Sequence, residues 1–104
     1  MPTEQYIANL KEAITRLHGV DSVHLRTDHV TEIFRGEVLW EGDVETFALV
    51  NHPKTRMLYA WAYLEDGRKQ FAIVLRLPPV DRPIDAVRAH TIAEARKRRE
   101  QPPP

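Results

Sequence analysis

A chain of 104 residues and 12.1 kDa fits one domain and leaves little room for a second. Its 42% apolar and 29% charged residues, at a mean hydropathy of -0.46, build a core under a polar surface and exclude a membrane-embedded or wholly disordered chain. Lys plus Arg and Asp plus Glu number 15 each, which removes any whole-molecule field toward nucleic acid or anionic lipid, and the lack of cysteine removes disulfides, thiol nucleophiles and iron–sulfur clusters.

Thr3 suits an N-cap, and Tyr6, Leu10, Ala13, Ile14 and Leu17 recur at three- and four-residue steps, so a helix is predicted over about 3–18, ended by Gly19. Val20 to Asp28 fits a short strand or an extended connector, because Val23 and Leu25 alternate with Ser22, His24 and Arg26. Val30 to Phe34 is a strand, broken by a tight turn at Arg35-Gly36. The next strand, Glu37 to Val50, sets Val38, Trp40, Val44, Ala48 and Val50 on one parity and Glu37, Glu41, Asp43 and Glu45 on the other, a core face and an acidic face. Gly42 inside it marks a bulge or a close approach. After the loop Asn51 to Arg56, the strand Met57 to Leu64 is apolar on both sides, with Tyr59, Trp61 and Tyr63 opposed to Leu58, Ala60, Ala62 and Leu64, and is therefore central.

Asp66-Gly67 favours the positive φ of a two-residue hairpin, and Lys69 to Leu77 follows as a strand that Pro78-Pro79 ends. Asp81 is placed to cap, and Pro83 to open, a second helix at about 82–98 whose apolar arc is Ile84, Val87, Thr91, Ile92 and Ala95. The fold class is α+β: an antiparallel meander of three to four strands flanked by an N-terminal and a C-terminal helix, in the order α-β-β-β-(β)-α, with both helices on one face. One domain spans 1–100, and 101–104 form a disordered Pro-rich tail.

Chemistry-bearing motifs are sparse. His24 and His29 sit close in sequence to Asp28 and Glu32, but residues five apart on a regular strand point to opposite faces, so no metal site is assigned. Glu41, Asp43 and Glu45 share a face as paired carboxylates do, yet a row of acids also keeps an exposed strand soluble. Residues 28–50 carry six acids against one base. Ser22 is the only serine and lies in no nucleophile elbow, and the four glycines are isolated, which removes a phosphate loop. No catalytic residue and no cofactor is assigned, and the chain leans away from being an enzyme. Basic residues gather at Arg68 and Lys69 and at Arg96, Lys97, Arg98 and Arg99, which a helix running back across the sheet brings to one end.

The element order α-β-β-β-α, with Asn51-His52-Pro53-Lys54 between strands, resembles the double-stranded RNA-binding domain, which implies nucleic-acid contacts from the loop and the second helix. That family's lysines open the second helix, whereas this one opens Asp81-Arg82-Pro83-Ile84-Asp85-Ala86 and carries its cations at the end. The run Trp40-Glu41-Gly42-Asp43-Val44-Glu45-Thr46-Phe47, with His52-Pro53-Lys54 and Tyr59-Ala60-Trp61, resembles small uncharacterised bacterial proteins of unknown function over about 30–95. That resemblance implies a similar fold and supplies no activity, cofactor or site.

The functional expectation is a non-enzymatic binding or self-association module that uses a sheet face left apolar by two helices packed on the other side. Its binding residues are Trp40, Tyr59, Trp61 and Tyr63, and its partner is a second copy in a homodimer, joined through that face or an edge strand. A protein or small-molecule partner stays open. The alternative is RNA binding through Arg68, Lys69, Arg96, Lys97, Arg98 and Arg99. Lys11, Glu12 and Arg16 interrupt any signal-peptide core, and the apolar run Met57 to Leu64 is far short of the roughly 20 residues that span a bilayer, so a cytoplasmic location with no membrane partner is expected.

Overall fold

The Thr3 hydroxyl accepts the Tyr6 amide at 3.1 Å and starts α1 (Glu4–His18). The helix stops at Gly19, whose φ of 68° lets its amide close onto the Thr15 carbonyl at 2.8 Å. The computed structural model, which describes residues 2–100, continues through β1 (Ser22–Phe34), β2 (Glu37–Leu49), β3 (Met57–Glu65) and β4 (Arg68–Leu75) to α2 (Pro83–Glu100). The strands form one antiparallel sheet in the order β1-β2-β3-β4, so the α+β class and the meander stand. Both Arg35-Gly36 and Asp66-Gly67 turn on two residues of positive φ, the twist that joins antiparallel strands directly.

The ambiguous stretch before Val30 is strand: Ser22 through Phe34 pair with β2, making β1 13 residues long. β4 ends at Leu75 rather than Leu77, where the Leu77 amide folds back onto the Leu75 carbonyl ahead of the prolines. Of the expected arc of α2, Ile84 and Val87 face inward, joined by Ala86 and His90, whereas Thr91, Ile92 and Ala95 are exposed.

The main correction concerns the layers. Both helices are expected on one face of the sheet; they lie on opposite faces. Tyr59 and Trp61 pack with Val30, Val44, Ala72 and the α2 residues Ala86 and Val87. Leu58 and Ala60 pack with Phe47, Leu49 and the α1 residues Leu10 and Ile14. Neighbouring residues of a strand point to opposite sides, so these are two cores separated by the sheet. The reason lies in β3, which is apolar on both sides: two helices on one face would leave the other row in water, at about 25 cal/mol per Å² of apolar area. One helix per face buries both rows from Leu58 to Trp61; Ala62 and Tyr63 are half-buried, and Leu64 at the far end of the strand stays exposed.

β2 and β3 pair only where Glu45–Ala48 meet Met57–Ala60. Beyond that point β2 stays paired with β1 as far as the Arg35-Gly36 turn, and β3 with β4 as far as Asp66-Gly67. Two hairpins therefore part from a common root, and each has an unpaired backbone edge facing the gap.

Candidate functional site in the cleft between the hairpins

The gap is a cleft of about 730 Å³ walled by β2 from Leu39 to Asp43 together with Glu45, by Ala62, Tyr63 and Leu64 of β3, and by Tyr6 and His90 from the two helices. Tyr6 takes the place of a missing strand: its hydroxyl accepts the Ala62 amide at 2.9 Å. Burial, foremost, raises the Tyr6 pKa, so the phenol stays neutral.

Glu45 forms part of the inner wall and is fully buried, although it belongs to the acidic parity expected in solvent. Its Oε1 lies 2.9 Å from His24 Nε2 and accepts the Thr27 hydroxyl. Its Oε2 is buried without a partner, the only carboxylate oxygen among the described residues in that state. Glu45 is buried because α1 covers this part of the sheet, and Phe47 and Leu49, on the same face, belong to the α1 core.

His24 reaches Glu45 because of a bulge at Leu25. The register steps from His24 opposite Phe47 to Arg26 opposite Thr46, and the extra residue reverses the alternation downstream. His24 and His29 therefore share a face, against the expectation for residues five apart. His29 bridges Asp43 from Nδ1 and Glu41 from Nε2, each at 3.0 Å, and the Thr31 hydroxyl donates to Glu41 at 3.1 Å. Hydrogen bonds to Glu41 and then to Asp43 raise the His29 pKa, and the same contact with His29, with Thr31 second, lowers that of Glu41. Among the described residues no three His, Cys, Asp or Glu side chains converge as a metal ion requires. On the far side of Glu45, His24 and Thr27 line a second hollow of about 840 Å³ under the start of α1.

The four aromatic residues expected to bind divide in two. Tyr59 and Trp61 are buried in the α2 core, where the Tyr59 hydroxyl donates to the Asp81 carbonyl at 2.6 Å. Trp40 and Tyr63 are half-buried and line the cleft. Gly42 serves the close approach: a Cβ there would meet the Trp40 ring at 2.9 Å, so glycine lets the indole lie along its own strand and reach Trp61, 5.9 Å away between ring centroids. His90 stands edge-on to Trp61 and Tyr63, and burial lowers its pKa.

Of the expected basic end, Lys69 is set apart by the sheet from the described cations of α2. The end of α2 does reach the β3–β4 turn, where Glu94 and Ala95 share a hollow with Glu65 and Asp66. Arg68 lies beside that turn and Arg96 and Lys97 are exposed, but Lys69 sits with its ammonium 5.3 Å from the Tyr6 ring centroid, on the α1 side. The side chains of Arg98 and Arg99 and the expected tail at 101–104 lie outside the described residues.

Residue alternation did not disclose Tyr6, Thr27 or His90 as site residues; it grouped Glu45 with Glu41 and Asp43 as paired carboxylates on a solvent face, and it separated His24 from His29. One sign of Glu45 was available: it is a lone charge within the otherwise uncharged run Val44 to Val50. No family model, no curated protein and no solved structure matches the chain.

Proposed function

We propose that this protein is a non-enzymatic self-association module whose partner is a second copy, joined edge to edge through β1. The supporting observation is the outer side of β1, a 13-residue edge with no strand beside it and with Val23, Leu25, Ile33 and Phe34 each more than half exposed. Sheet proteins blunt such edges with charges, lysine above all, with proline, with bulges or by shortness. β4, the other edge, has eight residues and opens Arg68-Lys69-Gln70; β1 carries neither lysine nor proline, and although it has a bulge at Leu25 and charges at Arg26, Asp28 and Glu32, its pairing runs without a shift from Arg26 to Glu32. Antiparallel pairing of two β1 strands across a two-fold axis gives the unpaired amides and carbonyls partners, buries the aliphatic side chains and continues the sheet to eight strands. The cytoplasm is the setting proposed, with which a chain without cysteine is compatible. Among the described residues, no helix is long and apolar enough to cross a membrane.

Sedimentation equilibrium across the micromolar range tests the reading, with the expected result a dimer of the 12.1 kDa chain. The double substitution Leu25→Lys with Phe34→Lys should weaken association at least about tenfold while the circular dichroism stays that of the parent. A single 12.1 kDa species throughout overturns it.

A further inference from the structure

We infer that the cleft between β2 and β3 binds an organic cation, a ligand presenting a primary ammonium or guanidinium group. The inference is independent of self-association, because β2 stands between the cleft and the β1 edge.

Glu45 carries the inference. A carboxylate oxygen that is buried with no donor is a standing cost to the fold, and a charged donor entering from the cleft removes that cost. Glu41 and Asp43 extend the same wall, and Trp40 and Tyr63 supply aromatic rings, the Tyr6 ring being already engaged by the Lys69 ammonium. Carboxylates interleaved with aromatic faces recognise an ammonium or guanidinium by charge-assisted hydrogen bonds at its head and by cation–π attraction around it.

The lining has no lysine or arginine, and His90 is its only basic side chain. Its lowered pKa leaves it uncharged at neutral pH. His29 offsets one of the two outer carboxylates from the exposed side, so the wall keeps a negative balance. A metal ion is a poorer fit, since no three of its usual side-chain ligands converge among the described residues. The volume, about 730 Å³, falls within the range of small-molecule pockets.

A free amine and an arginine side chain on a peptide offer the same chemistry, and the experiment separates them. The intact chain is titrated with agmatine, with spermidine and with a blocked Gly-Arg-Gly peptide, and n-butyrate serves as the anionic control. The readouts are tryptophan fluorescence and the NMR signals of the Trp40 indole and Tyr63 ring. Both free amines should perturb these groups, butyrate should not, and Glu45→Gln should weaken binding about tenfold with the melting temperature held or raised. Should Glu45→Gln disturb the fold, Asp43→Asn at the exposed part of the wall gives the same reading with a smaller loss. A response to the peptide alone assigns the cation to a protein side chain and still supports the site. No response to any cation up to about 10 mM, an equal response to butyrate, or unchanged affinity in both variants overturns the inference.

Discussion

The bulged residue Leu25 reverses the pointing of every β1 residue beyond it, and the exposed His29 meets Asp43 and Glu41 as a result. Raised above 6.5, the His29 pKa makes the protonated ring a stabilising partner below pH 6.5, and that contribution is lost as pH rises through the folded-state value. Glu41, lowered below 4.5, contributes above pH 4.5 and loses its contribution as pH falls through its own folded-state value. The two overlap between pH 4.5 and 6.5, where the cluster is most favourable. An NMR titration should place the His29 midpoint above 6.5, and Glu41→Gln combined with Asp43→Asn should bring it back toward that value. His90 should titrate below 6.5, because burial opposes its charge. A His29 midpoint insensitive to both substitutions would contradict the geometry.

At the scale of elements, α2 shows how the chain begins a helix without the expected cap. Asp81 has the right chemistry, but its carboxylate is taken by Arg76 at 2.7 Å. Asp85 reaches back instead: its Oδ2 accepts the Arg82 amide at 2.9 Å and the Asp81 amide at 3.2 Å, and Arg82 pairs with it through its guanidinium. The side-chain bond from Arg82, then the Arg82 amide, pull the Asp85 pKa from 3.8 to about 2. Because the folded-state value is depressed, this support is present above pH 3.8 and is lost as pH falls toward 2. Asp85→Ala should cost about 1 kcal/mol at neutral pH, the usual worth of a cap, and lower Tm by several degrees. The gap between variant and parent should narrow as pH drops from 3.8 toward 2. Equal stability at neutral pH would mean that Asp85 does not hold the start of α2.

For the whole molecule, a net charge of zero leaves nucleic-acid binding to local patches, and the sheet sets Lys69 apart from Arg96 and Lys97. Lys69 lies over Tyr6 on the α1 side, Arg96 and Lys97 belong to α2, and Glu65, Asp66 and Glu94 sit at the same end. Fluorescence anisotropy with duplex RNA and duplex DNA of equal length should therefore show weak, unselective binding that fades with salt. Tight binding that prefers RNA and is lost in Arg96→Gln with Lys97→Gln would return the nucleic-acid reading to first place.

The sequence by itself determined the element order, the caps of α1, the hairpin turns and the central place of β3, because these follow from local dihedral preference and from alternation along one strand. It also contained the reason for two cores, an apolar row on each side of β3, though not which helix covers which row. Tertiary structure alone decided the layer arrangement, the bulge at Leu25, the burial of Glu45 and the parting of β2 from β3. Each depends on which distant segment packs where. A single inserted residue reverses the alternation that a local reading extends, and whether an acid is solvated depends on a helix about 35 residues earlier in the chain.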